Sequence, residues 1–157
     1  MGMRALGAIA ALVMATAPAC RGSRDPILDL LKELERAAEA RDAGPIEAAL
    51  AADFRAMDGM TRPEAAGLLR RYFAAYETIK LEVYDVSVER GDDVARLAFR
   101  ADLDGRPLRV GPLAAFLPPE AMARFDLGLK RDGKRWLIAT ADWEELTPTE
   151  APSPAAP

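Results

Sequence analysis

The 157-residue chain has no histidine, no asparagine and no glutamine, and its single cysteine is Cys20. Each absence removes some chemistry. Without imidazole there is no Ser-His or Cys-His nucleophile, no histidine base near neutral pH and no usual zinc site. No phosphate-cradling G-x-x-x-x-G-K-[ST] and no G-x-G-x-x-G occurs. Positive charge is also scarce: 21 Lys and Arg stand against 25 Asp and Glu, a formal net charge of −4. Nucleic-acid binding needs a basic face to neutralise phosphates, so no nucleic-acid partner is expected. Any catalysis must rest on carboxylates, Tyr, Lys or Arg, and neither a cofactor nor a metal is implied.

What is present begins with an export pattern. Arg4 and the amino terminus make a small positive start, and residues 5 to 17 carry no charge. A spanning helix needs ~20 apolar residues, so this shorter run suits the core of a signal peptide covering residues 1–19. Ala17-Pro18-Ala19 supplies the small-x-small cleavage pattern directly before Cys20. These residues resemble the bacterial lipoprotein box, with Ala17 where that family prefers Leu. The resemblance implies an acylated Cys20 followed by a spacer to residue 25. Arg21 in place of Asp implies passage to the outer membrane, on the periplasmic side of the cell envelope. The alternative is an ordinary secreted protein with a free thiol, a liability in an oxidising compartment.

From Pro26 the chain reads as one domain ending near residue 146. Pro26 suits a first helical position, and Ile27, Leu30, Leu31, Leu34, Ala37 and Ala38 form one apolar stripe. A second, shorter helix is expected to restart at Pro45. Residues 53 to 57 read as a short strand. Thr61 with Glu64 is a capping box opening a third helix through Tyr72 and Tyr76. The period then changes from 3.6 to 2. One hairpin is expected about Gly91-Asp92, with Tyr84, Val86 and Val88 beside Ala95, Leu97 and Phe99. Ile79, Leu81 and Val83 occupy the other parity, which calls for a bulge or bend near residue 84. A second hairpin about Asp132-Gly133 sets Phe125, Leu127 and Leu129 opposite Thr140, Ile138 and Trp136. The Pro/Ala-rich residues 147–157 cannot bury a core and are expected to be disordered.

Three stretches, "LAADFRAMDG", "MTRPEAAGLLRRYFAAY" and "GKRWLIATADWEEL", in this order of elements resemble the nuclear transport factor 2-like family. That family includes ketosteroid isomerases, polyketide-cyclase-like proteins and exported domains without known activity. The resemblance spans roughly residues 25 to 146. It implies an α+β fold: a cone in which three N-terminal helices pack on a curved antiparallel sheet, with a pocket at the open end. A second copy of the chain docked on the open sheet face is also common in the family.

The candidate residues follow from that layout. Extending the second hairpin's pairing puts Asp142 on the core side with Trp136, Ile138 and Thr140. A carboxyl taken out of water rises in pKa and can then act as acid or base. The alternative leaves Asp142 in solvent or paired with an Arg. Tyr72, Tyr76 and Tyr84 either aim hydroxyls into the same cavity or serve as core. Phe99 and Trp136 would line the pocket. Residues 105 to 120 read as a lid or sticky edge carrying Leu113, Phe116 and Leu117, or as extra packing with one more short strand. The basic hairpin tip at 130 to 135 either meets anionic lipid headgroups or simply keeps a turn soluble. "DLDG" at 102 to 105 lacks the ligands of a calcium loop. Two functions result: a non-catalytic, membrane-tethered domain binding a small apolar ligand or a protein, or a cofactor-free isomerase, cyclase or dehydratase using Asp142 with a tyrosine.

Overall fold

The computed structural model describes residues 24–108 and 117–147. The signal segment, Cys20, Leu113, Phe116 and the tail from residue 148 lie outside them. Helix α1 (Pro26–Glu39) starts where Asp25 accepts the Ile27 amide at 2.9 Å, with Pro26 at the first turn. It ends through Arg41, whose φ of 57° lets the Asp42 amide return to the Ala37 carbonyl at 2.8 Å. Asp42 then caps Gly44 and opens α2 (Ala43–Ala49), two residues ahead of Pro45, which fits inside the first turn. Strand β1 (Leu50–Ala56) begins earlier than the expected 53 because Leu50 and Ala51 are both buried. Helix α3 (Arg62–Ala74) carries the expected box: the Glu64 carboxylate accepts from both the Thr61 amide and its hydroxyl.

Four longer strands follow: β2 (Tyr76–Arg90), β3 (Val94–Pro107), β4 (Glu120–Asp132) and β5 (Arg135–Leu146). The sheet order is β1-β5-β4-β3-β2. The fold is α+β as expected, but the sheet is mixed, because β1 runs parallel to β5. Both hairpin tips sit one residue further along than their turn dipeptides suggested. Asp92-Asp93 and Gly133-Lys134 are the central residues, with Gly133 at φ 61°. Moving a tip by one residue shifts cross-strand pairing by two, which leaves every side chain on its expected face.

Three bulges do change the face, the first at Glu77, where Tyr76 pairs with Pro107 and Thr78 with Arg106, so that Tyr76 and Ile79 are both buried. In β2, Asp85 and Val86 together oppose Phe99, and Asp85 adopts φ 53°. In β5, Ala139 has no partner: Leu129 pairs with Ile138, while Gly128 pairs with Thr140. One extra residue on one strand reverses inside and outside beyond it. The inner face is therefore lined by Ile79, Leu81 and Val83 from β2 and by Ala141 and Trp143 from β5. Between them, β3 and β4 pair without interruption from Val94–Lys130 to Asp104–Glu120.

The inner face holds two packed clusters. The larger joins Ile27 and Leu31 of α1 to Phe54, Leu97, Phe99, Leu127, Leu129, Trp136 and Ile138. The smaller joins Ala43, Phe73, Tyr76 and Ile79. Gly105 is essential to the second, since a Cβ there would lie 2.7 Å from the Tyr76 ring. A Cβ on Gly128 would approach only the Thr140 side chain, whose hydroxyl can rotate away. Gly105→Ala is therefore expected to cost about 1–3 kcal/mol by overpacking, and Gly128→Ala clearly less. Urea unfolding midpoints of the two variants check this, and equal losses would contradict it.

Candidate functional site

The predicted site residues separate onto opposite sides of the sheet. Tyr76 is fully buried, and its hydroxyl donates to the Pro118 carbonyl at 2.8 Å. Its one proton is thereby committed, so Tyr72, 3.2 Å away, donates to Tyr76. The two rings lie 5.0 Å apart and tilted. Burial pushes Tyr76 far above the ordinary tyrosine value. This pair acts as a clasp. Gly105 donates its amide to the Pro119 carbonyl and Leu108 to Ala75, both at 2.8 Å, while Leu117 packs on the Tyr76 cluster. The two ends of the expected lid are thus pinned together, and Leu117 serves as packing.

Phe99 stacks on Phe125 at 5.1 Å and Trp136 lies under the Arg131 guanidinium at 5.5 Å, so both aromatic residues belong to the core. Asp142 stands elsewhere. The Ala139 bulge gives its expected inward place to Trp143 and turns Asp142 to the exposed outer face, directly opposite Asp126. Tyr84 is turned outward in the same way by the Asp85–Val86 bulge. The Tyr72–Tyr76 pair and Asp142 therefore lie on opposite sides of the sheet.

The outer face forms a polar array, with Asp85, Glu89, Arg96 and Arg100 on one solvated face and opposite charges near each other, as the alternation of β2 and β3 predicts. The Arg96 guanidinium grips both oxygens of Asp126, with Nε at 2.8 and 2.9 Å, and lies 4.0 Å from Glu89. Arg100 reaches Asp85 at 3.6 Å, using the left-handed residue of the bulge. Tyr84 donates to Asp102 at 2.8 Å, and this hydrogen bond, with some burial, raises the Tyr84 pKa. Arg100 faces Arg124 across β3 and β4, and Arg124 faces Glu144 across β4 and β5. With the bulge in place, Tyr84 sits diagonally across from Asp102, which is the signal a corrected register would have supplied. Among the described residues no group of acidic side chains is arranged to hold a metal.

Two open clefts adjoin the sheet's helix side. One, about 300 Å³, lies in the turn between β1 and α3 and is lined by Asp58, Gly59, Met60, Glu64, Leu68 and Arg71. The other, about 410 Å³, separates α1 from the β4–β5 turn. Neither contains Asp142, Tyr72, Tyr76 or Tyr84.

With this geometry in view, comparison with solved structures defines the class of fold. A candidate scytalone dehydratase from Novosphingobium aromaticivorans superposes with a TM-score of 0.66 at 8% identity, covering 78% of this chain and 83% of that one. A candidate dehydratase of the nuclear transport factor 2-like family from Streptomyces avermitilis gives 0.65 at 13%, covering 78% and 95%. A nuclear transport factor 2-like protein from Cytophaga hutchinsonii gives 0.61 at 16%, covering 79% and 98%. The fold is nuclear transport factor 2-like. At these identities the likeness carries the fold alone, since one fold hosts unrelated activities. No protein-family model matches the chain, and no curated protein does either.

Two measurements follow from the site's bonds. Tyr76→Phe leaves the Pro118 carbonyl without its donor and is expected to cost about 1 kcal/mol. It also speeds hydrogen exchange at the Gly105 and Leu108 amides; unchanged exchange there would refute the clasp. Separately, four carboxyls are held below their ordinary values. Lys130 does this for Asp53, Thr61 for Glu64 and Arg96 for Asp126; at Asp25 burial opposes the shift, but the Ile27 amide and Arg90 outweigh it. Depressed folded-state pKa values mean that the unfolded chain binds more protons, so stability is present above the unfolded values of 3.8 and 4.5 and lost as pH falls below them. A pH series of unfolding free energies is expected to fall across that window, less steeply in Asp126→Asn.

Proposed function

We propose that the protein is an exported, lipid-anchored domain of the bacterial cell envelope that binds a protein partner through the outer sheet face, without catalysis. The export run, the cleavage pattern and the lone Cys20 support the anchor, and Arg21 supports outer-membrane delivery on the periplasmic side. The observation that carries the non-catalytic part is the separation of Asp142 from the tyrosine pair by the thickness of the sheet. A packed inner face also weighs against a small apolar ligand, because Phe99, Phe125 and Trp143 occupy the space such a ligand would use.

A second reading, a cofactor-free dehydratase, is favoured by the Tyr84–Asp102 hydrogen bond together with the two candidate dehydratases of the same fold. It would have to work from an open face, where water competes with every hydrogen bond to a substrate.

The test has two arms. Radiolabelled palmitate is expected to enter the wild-type chain and to be absent from Cys20→Ala; label persisting in the variant overturns the anchor. Native mass spectrometry of the anchored protein released from its membranes is expected to show no apolar molecule beyond the acyl chains. A retained apolar molecule would restore the ligand-binding function.

A further inference from the structure

The 410 Å³ cleft between α1 and the β4–β5 turn brings together parts of the chain that are far apart in sequence. Arg24, Lys32 and Arg36 come from the start of the domain, and Lys134 and Arg135 from the hairpin tip. Five cations line the cleft against two carboxylates, Asp29 and Glu33, on a chain whose formal charge is −4. Lys32 and Arg36 stand four apart on α1, so they share one face, and the Arg36 Nε donates to the Lys32 carbonyl at 3.2 Å. Gly133 places Lys134 at the outermost point of its turn. None of the five forms an ion pair with a described carboxylate, whereas Arg96 and Arg100 on the outer face are answered by Asp126 and Asp85.

We propose that this cleft is a docking face for an anionic membrane surface, with lipid phosphates lying against Arg24, Lys32, Arg36, Lys134 and Arg135. The proposal builds on the lipid anchor at Cys20. Arg24 lies four positions after Cys20, so an extended linker keeps the cleft's first cation within about 14 Å of the anchor. That is an upper bound, so the tether allows the cleft to approach the headgroups within a Debye length, ~8–10 Å at moderate salt. A chain that is acidic overall is repelled by an anionic surface except where it is locally positive. Charge and tether thus select the same end of the domain, and the outer sheet face remains available for a partner.

The test uses the full chain bearing Cys20→Ala, so that binding does not depend on acylation, floated with vesicles of phosphatidylcholine alone or mixed with phosphatidylglycerol. The hydrophobic leader contributes to both vesicle types, and the difference between them reports the cleft. Binding is expected to favour the anionic vesicles, to weaken with salt, and to fall by at least about fivefold at each charge reversal in Lys32→Glu, Arg36→Glu, Lys134→Glu and Arg135→Glu. Lys80→Glu with Arg124→Glu, which lie on the outer sheet face, is the control and is expected to leave the preference intact. Equal losses in the cleft variants and the control, or no preference for anionic vesicles, overturns the proposal. Palmitate labelling of the wild type separates the two ideas. Label without anionic preference keeps the anchor and removes the docking face, and preference without label does the reverse.

Discussion

The two-residue period of a β-strand governs this structure, because it leaves each side chain only two places to go. A strand residue faces either the helices or the solvent, and the choice alternates until the backbone gains or loses a residue. The unbroken β3–β4 ladder sets the reference, with Leu97, Phe99, Leu127 and Leu129 all inward. Both outer neighbours of that ladder are bulged, at Glu77 and Asp85–Val86 in β2 and at Ala139 in β5. Together they determine which half of each strand reaches the core. They also determine which polar residues meet as the outer array of Tyr84, Arg96, Arg100, Asp102, Asp126 and Asp142.

Most of the architecture was legible without coordinates. The helices were readable because capping residues and a 3.6-residue stripe are local signals: Asp25-Pro26 and Thr61 with Glu64 mark the starts of α1 and α3 in both readings. The hairpins were readable as pairs of alternating runs, and misplacing each tip by one residue cost nothing in facing. The Asp85–Val86 bulge of β2 was also visible as a phase slip between Val83 and Val88. The β5 bulge was not. Ala139 is small and sits among apolar neighbours, so nothing in "WLIATADW" shows which residue lacks a partner. That one residue moved Asp142 from the inner to the outer face and removed the premise of the acid–tyrosine site. The parallel β1–β5 contact was equally hidden, since a pairing between strands some eighty residues apart leaves no local trace.

Electrostatics divides the molecule into surfaces with different partners in view. On the outer face, Arg96 and Arg100 are answered by Asp126 and Asp85. Exposed pairs of this kind contribute little to folding stability. At the α1 and hairpin-tip end, five cations collect with no ion-paired carboxylate among the described residues. The acidic excess is spread over the remaining surface, so the small net charge conceals a marked polarity along the domain.

The clasp around Tyr76 has a consequence for how such a domain diversifies. Gly105, Leu108, Pro118 and Pro119 fasten the two ends of one connection through backbone groups and a single buried phenol. Lengthening a closed loop adds entropy only logarithmically, about 0.6 kcal/mol per doubling. The scaffold therefore offers a cassette: a lineage can exchange what it displays at that rim, in length or in chemistry, while the sheet and its helices inherit none of the change.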